Sequence, residues 1–467
     1  MLRDSLKPYR YLWPPSDVHA DPHWQATDGA RFSVRRMPES PDEMAGDSRW
    51  PAFFPSPICV VTAADGSSAV LERVVGPSIV NRFPYVMALK FCARSLSKRH
   101  YARRAFLNVL ESGRTVAVQF LEPGSALDRV LGVIASGTEA DALGRPRRTG
   151  LATRRALTSD APVFVDAYLV YEARLVEPSV GFQGEAIYAQ PWMDVGSHRM
   201  VFLEITAIQL RRDIAEGRTQ ILWRSLPAWS PKGGSELRAS DIEQGSADGR
   251  YQKGYTPHYA FPSAGTIAFS SDAIEEGMAV LHLPPRPLDQ VELDNDRSRW
   301  PCFFPSSVGM ITTWAEGGRP NLMPCGSTSV VSRHPLIIAP CVSYAAINER
   351  YAPRATLELI RRNGAFGCGV PYIDDAIIEA IKYAGNISLP KDTDKVARAG
   401  LAFEEGELAP VLPALPIHFE CRVVEEVPLG THVMFLGEAR RILVRGDVTP
   451  DNPIEWCPWA DVGTPRG

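Results

Sequence analysis

The sequence predicts a mainly β chain of the α+β class, arranged as two tandem barrel domains, and three observations predict it. At 467 residues the chain is longer than a single hydrophobic core usually grows. A nine-residue block, Ser48-Arg49-Trp50-Pro51-Ala52-Phe53-Phe54-Pro55-Ser56, returns 250 residues on as Ser298-Arg299-Trp300-Pro301-Cys302-Phe303-Phe304-Pro305-Ser306 with a single change. After the second copy, runs rich in Val, Ile and Thr alternate with turn residues, and two helical stretches interrupt them.

The repeat organises the chain, because self-similarity at a long period decides the architecture before any element is assigned. The same offset aligns Gly76 with Gly326 and Arg99-His100-Tyr101-Ala102-Arg103-Arg104-Ala105 with Glu349-Arg350-Tyr351-Ala352-Pro353-Arg354-Ala355. Further on, Gly196-Ser197-His198 parallels Gly430-Thr431-His432 at a shorter offset of 234, so loop lengths have drifted while order is kept. Residues 1–47 read as an N-terminal extension, 48–240 as a divergent first repeat, 241–297 as a connecting segment and 298–467 as the second repeat. Within the connecting segment, the tyrosines and His258 of the run Tyr251 to Pro262 either line a site or pack a long linker against its domain; the second reading is favoured.

In the second repeat, Ser307 to Trp314, Ser327 to Val331 and Pro335 to Val342 are expected strands, separated by Glu316-Gly317-Gly318 and Arg333-His334-Pro335. Ala355 to Ile360 carries apolar residues at helical spacing and ends near Asn363-Gly364. Ala365 to Val370 resumes as a strand, Asp374 to Ala384 is a second helix, and Ile417 to Val424 with His432 to Val444 close the domain.

Composition narrows the function. The net charge of −4, with acidic and basic residues interspersed, excludes the basic footprint of a nucleic-acid binder. The opening MLRDSLKPYRYLWPP lacks the apolar core of a signal peptide and no stretch is long enough to span a membrane, so a soluble cytoplasmic protein is expected. The eight cysteines, Cys59, Cys92, Cys302, Cys325, Cys341, Cys368, Cys421 and Cys457, form no CxxC pair, which argues against a metal site and for buried thiols. No GxSxG elbow or HExxH supports a hydrolase, and no GxGxxG follows an expected strand, so a Rossmann nucleotide domain is not expected.

The second repeat carries Phe304-Pro305 at its first strand, then Asn321 to Pro335 (NLMPCGSTSVVSRHP), Arg350 to Ile360, Asn363-Gly364-Ala365-Phe366, Asp394-Lys395, Ala399-Gly400-Leu401, Phe419 to Val423 and Gly430-Thr431-His432. In this order the pieces resemble the flavin reductase-like FMN-binding split-barrel family, in particular its flavoredoxin-like branch. The resemblance covers about residues 298–445 well and about 48–212 more loosely. It implies two tandem FMN-binding split β-barrels. Because such proteins typically pair as homodimers around the flavin, it also implies that the fused repeats form that dimer within one chain; a further homodimer stays open.

The implied site makes physical sense on these residues. A phosphate needs donors at a helix N-terminus, and Arg354 and Thr356 open the expected helix. An isoalloxazine ring needs a flat slot with donors at its carbonyl edge, which Asn321 and the strand Gly326-Ser327-Thr328-Ser329 are placed to give. Lys395 is expected to neutralise flavin or substrate charge, with an exposed salt-bridged lysine as the alternative. His432, and His198 in the first repeat, are the candidate catalytic contacts to the redox centre, each with a plain barrel-strand histidine as the alternative.

The first repeat departs from this pattern: Arg104-Ala105-Phe106 replaces Arg354-Ala355-Thr356, and the run Gly144 to Ala156 has no clear counterpart of Asp394-Lys395. Either the first barrel has lost its own flavin, or it uses Arg103 and Arg104 for phosphate. The expected function is hydride transfer from NADH or NADPH, as a transient co-substrate, to FMN and on to free flavin, oxygen or another small acceptor. An FMN-dependent oxygenase or reductase of a specialised substrate, and a non-catalytic flavin-binding or scaffold protein, are the other readings.

Overall fold

The computed structural model describes residues 58–66, 68–81, 84–93, 103–122, 124–138 and 141–212 of the first half, and residues 308–345, 354–371 and 375–449 of the second, with 372–374 outside. Outside these it describes 11–13, 19–20, 22, 24–27, 29, 31–37, 255–256, 278–282, 454–456 and 464–465. The repeated blocks at 48–56 and 298–306, and most of the run from Tyr251 to Pro262, lie outside the described residues.

The first half supplies β1 (Ile58–Asp65), β2 (Ser68–Val75), β3 (Ser78–Asn81), β4 (Val86–Cys92), α1 (Arg104–Gly113), β5 (Thr115–Leu121), α2 (Ser125–Ser136), α3 (Arg145–Arg148), β6 (Ala167–Leu175) and β7 (His198–Arg211). The second half supplies β8 (Gly309–Trp314), β9 (Pro320–Cys325), β10 (Thr328–Arg333), β11 (Leu336–Ser343), α4 (Ala355–Asn363), β12 (Ala365–Val370), α5 (Asp375–Asn386), α6 (Lys395–Arg398), β13 (Ile417–Pro428) and β14 (His432–Arg445). The antiparallel order is β2-β1-β5-β6-β7-β4-β3 in one sheet and β9-β8-β12-β13-β14-β11-β10 in the other. Each strand therefore has a counterpart at the same place in the other sheet, and the three helices fall between corresponding strands.

Local chemistry explains the elements that frame the site. Along α4, Leu357, Leu359 and Ile360 are buried on one face, with Arg361 and Arg362 in the last turn, where they complement the helix dipole. Gly364 closes the helix at φ 60°, its N–H donating to Ile360 O at 2.8 Å, a conformation that costs glycine nothing. β12 is buried at every position, as a strand in the middle of a covered sheet must be. The expected strands and helices of the second repeat are all present, and α6 is an additional short helix at Lys395. Of the eight cysteines, Cys59, Cys325, Cys341, Cys368 and Cys421 are buried thiols and Cys92 is half-buried, while Cys302 and Cys457 lie outside the described residues.

The segments flanking the repeats are exchanged. Strand Phe32–Arg36, in the N-terminal extension, pairs antiparallel with Arg441–Arg445 of β14, in the second sheet. Strand Met278–His282, in the connecting segment, pairs with Ala207–Arg211 of β7, in the first sheet. Each repeat thus lends its leading strand to the other. Phe32 and Val34 bury against Val411 and Leu443, and Trp24 and Met37 enter the second core.

A third core belongs to both halves: Val80, Ala88, Met200 and Phe202 pack with Val331, Ala339, Met434 and Leu436. Polar contacts cross at equivalent places. Tyr188 donates to Leu429 O at 2.9 Å, Ser197 N donates to Ser332 Oγ at 3.3 Å, and Asn81 Oδ1 accepts from Thr431 N and Oγ1 at 2.8 and 2.6 Å. Gly196, at φ 55°, sits so close to the second half that a Cβ would meet His334 O at 2.6 Å.

Within the second core, His418 is fully enclosed; Nε2 lies 2.7 Å from Leu412 O, and burial pushes its imidazole down to about 4. The native state therefore resists a proton that the unfolded chain accepts near its ordinary value of 6.5. Stability should be full above that value and decline as pH falls through the window from 6.5 to about 4, by roughly 3 kcal/mol for this group. Urea unfolding across that range should show the slope, and His418→Phe should flatten it; an unchanged slope in the variant would assign it elsewhere.

Candidate functional site

In the second half, the end of β9, the turn into β10, the end of β11, the N-terminus of α4, the end of α5 and the starts of α6 and β14 surround one cleft. Its lining includes Asn321, Met323, Cys325, Gly326, Ser327, Ser343, Arg354, Thr356, Ile387, Leu389, Lys395 and His432. Seven residues singled out in the sequence, Asn321, Gly326, Ser327, Arg354, Thr356, Lys395 and His432, are brought together there from across 112 residues of chain.

One end of the cleft is cationic. Arg354 is the N-cap of α4 in extended backbone, and no side chain caps the first turn, so the helix start presents its donors together with the guanidinium. Lys395 is buried beside it, and burial, with Arg354 adding like-charge repulsion, pushes the ammonium down to about 8. Asp392 pulls in the other direction but is committed elsewhere: it accepts from Tyr383 OH at 2.5 Å and Asp394 N at 3.0 Å, and faces Arg398 at 3.6 Å. Among the described residues, neither Arg354 nor Lys395 has a carboxylate at contact distance. Ser343 Oγ, on the same wall, is buried and has no hydrogen-bond partner among the described residues. Two buried or half-buried cations, an uncapped helix start and an orphaned hydroxyl form a set that a phosphate would satisfy.

The cleft also has apolar walls, formed by Met323, Cys325, Ile387 and Leu389. Asn321 sits beneath Thr356, donating Nδ2 to Thr356 Oγ1 at 2.9 Å and lying 3.1 Å from Thr313 Oγ1. It acts on the cleft by holding Thr356 in place. His432 enters at the start of β14, with Nδ1 2.8 Å from Thr431 Oγ1. The Thr431 hydroxyl donates to Asn81 Oδ1, and Asn81 Nδ2 donates to Pro84 O at 2.9 Å, which fixes the amide's orientation. A hydroxyl has one proton, so Thr431 must accept from His432 Nδ1–H, and Nε2 is the acceptor nitrogen of the ring. The first half thus sets the tautomer of a second-half histidine.

Three predicted site residues lie outside the cleft lining. Thr328 is buried and turns its hydroxyl back to donate to Cys325 O at 2.9 Å, and Ser329 is buried within β10. His198 occupies the equivalent place in the first half, with Nδ1 2.8 Å from Ser197 Oγ and Nε2 3.5 Å from Cys92 Sγ. Ser343, Ile387, Leu389 and Asn81 were not anticipated. Only Ser343 carried a usable signal, a lone hydroxyl ending an apolar strand.

The first half is built differently at the corresponding positions. Arg103 is the N-cap of α1 and its N–H donates to Cys92 O at 2.8 Å, as Arg354 N donates to Ser343 O at 3.2 Å, so Arg103 and not Arg104 is the counterpart of Arg354. Arg104 is exposed. Phe106 is buried and stacks on Phe91 at 4.8 Å. Asp394-Lys395 does have a counterpart, Gly144-Arg145, because α3 begins where α6 begins. The similarity is masked in the sequence because glycine stands in place of the aspartate and arginine in place of the lysine.

Residues 301–458, about a third of the chain, match the flavin reductase like domain. An uncharacterized protein of Archaeoglobus fulgidus is 27% identical over 151 residues, 32% of this chain and 77% of its own. Among solved structures, flavoredoxin from Methanosarcina acetivorans is 24% identical over 34% of this chain and 77% of its own, with a TM-score of 0.28. Nitrilotriacetate monooxygenase component B from Bacillus cereus is 20% identical over 39% of this chain and 95% of its own, with a TM-score of 0.32. Among the described residues no helix is long and apolar enough to cross a membrane.

Proposed function

We propose that the second-half cleft binds FMN and that the protein is a flavin-dependent oxidoreductase taking hydride from NADH or NADPH and passing electrons to a small-molecule acceptor. The observation that carries the reading is the pairing of Arg354 with buried Lys395, in one cleft, with no carboxylate at contact distance of either among the described residues. The match of residues 301–458 to the flavin reductase like domain supports it. The two sheets of identical order, their shared core and their exchanged strands support the further reading that two tandem split barrels form a pseudo-dimer, with one flavin per chain.

Arg354, Lys395, Ser343 and the start of α4 would hold the phosphate, while Met323, Cys325, Ile387 and Leu389 would exclude water around the ring. When bound, the flavin supplies hydride and electron transfer. Thr431 and Asn81 hold the His432 ring through Nδ1 in the lining of the cleft. The test is FMN titration of the purified protein followed by anaerobic NADH and NADPH. One tightly bound flavin per chain, bleached by either nucleotide, is expected; no binding would overturn the reading, and binding without bleaching would make the partner an organic substrate instead.

A pH dependence follows from Lys395. Its charge is present below about 8 and lost above it, so affinity for an anionic ligand should weaken as pH rises from about 8. FMN titrations from pH 7 to 9.5 should show the decline, and Lys395→Met should bind more weakly with a flat profile. An undiminished slope in that variant would remove Lys395 from the site.

A further inference from the structure

Ladder registers place three first-half residues at the positions that define the second-half cleft. Glu72 lies opposite Val61 as Met323 lies opposite Ile311, Arg103 caps α1 as Arg354 caps α4, and Arg145 opens α3 as Lys395 opens α6. In the first half these three groups meet. Glu72 Oε2 stands 3.2 Å from Arg103 Nε and 3.3 Å from Arg145 Nη1, with Glu72 and Arg145 both almost wholly buried. Glu72 also accepts from Arg73 N at 3.0 Å. Arg145 is further held by Thr138 O and by Asp141 at 3.4 Å, yet its Nε is buried with no hydrogen-bond partner among the described residues.

Two guanidiniums around one carboxylate oxygen reproduce what two cations would give a phosphate oxygen, except that the anion belongs to the protein. We propose that the first half keeps an oxyanion cradle, formed by Arg103 and Arg145, which Glu72 occupies as a built-in counter-ion, and that removing this carboxylate opens the cradle to phosphate-type ligands. Burial pushes the Glu72 carboxyl up while Arg103 and Arg145 pull it back, as expected of a charge kept in the interior by its partners. The inference goes beyond the flavin reading of the second half and stands without it, because it concerns another site and inorganic phosphate is the probe.

Phosphate binding to the wild-type chain and to Glu72→Ala is counted by equilibrium dialysis at constant ionic strength. Glu72→Ala is expected to bind one phosphate per chain more than the wild type, and Glu72→Ala/Arg145→Met to lose that extra site. A folded Glu72→Ala with the wild-type count overturns the proposal. Should Glu72→Ala fail to fold, Glu72→Val, which suits a buried strand and still vacates the space of the carboxylate, is heated in phosphate and in chloride. Its melting midpoint is expected to rise with phosphate by several degrees more than that of the wild type, and an equal rise in both overturns the proposal. An extra phosphate site in a chain that binds no FMN would retain this inference and remove the flavin reading.

Discussion

Arg354→Ala is expected to weaken FMN binding by about 10- to 100-fold, the loss of one or two charge-assisted hydrogen bonds, while leaving the thermal stability of the flavin-free protein unchanged or slightly raised. The second half of that expectation is the discriminating one. A guanidinium paired with a carboxylate would leave a buried charge exposed when removed; Arg354 has no such partner among the described residues, and its positive charge depresses Lys395 nearby. Removing it relieves repulsion between two cations. FMN fluorescence titration and a melting curve of each apo-protein measure the two quantities. Unchanged affinity would take Arg354 out of the phosphate site, and a large fall in apo-stability would make its role structural.

Phe32→Ala should cost about 3–5 kcal/mol, and that cost should fall on the second half although residue 32 lies at the other end of the chain. Phe32 is 1% exposed, packs edge-on against the His418 ring at 6.4 Å, and shares a small core with Val411 and Leu443. Hydrogen exchange on the variant should show protection lost first in β13 and β14, with β1 and β5 of the first sheet unaffected. Loss spread evenly over both sheets, or confined to the first, would contradict the exchanged pairing.

Much of the fold was legible because periodicity reports burial directly. Ala365 to Val370, Ala355 to Ile360 and the long closing strands carry their environment in their side chains, and Gly364 marks a helix end by a conformation few other residues tolerate. Strand exchange was not legible. Phe32–Arg36 and Met278–His282 are short, ordinary strands, and nothing local in either says which sheet it joins. Residue type and helix position together pointed to Arg354, Thr356 and Lys395, which line one cleft, whereas Thr328 and Ser329, at the start of a buried strand, lie outside that lining. His198 repeats the sequence context of His432 while its surroundings differ: Cys92 stands opposite it where Ser343 stands opposite His432.

The exchanged leading strands also set a timetable. On the ribosome, Phe32–Arg36 emerges early, and its partner, Arg441–Arg445, is translated on the order of tens of seconds later. In that interval the strand, paired on one side with Gln25–Ala26, waits with its other edge open, the condition under which chains pair with the wrong neighbour. The first sheet waits less, since Met278–His282 follows β7 by fewer than a hundred residues. Nascent chains stalled between these two points would hold a completed first sheet and a leading strand whose partner, β14, is still to come.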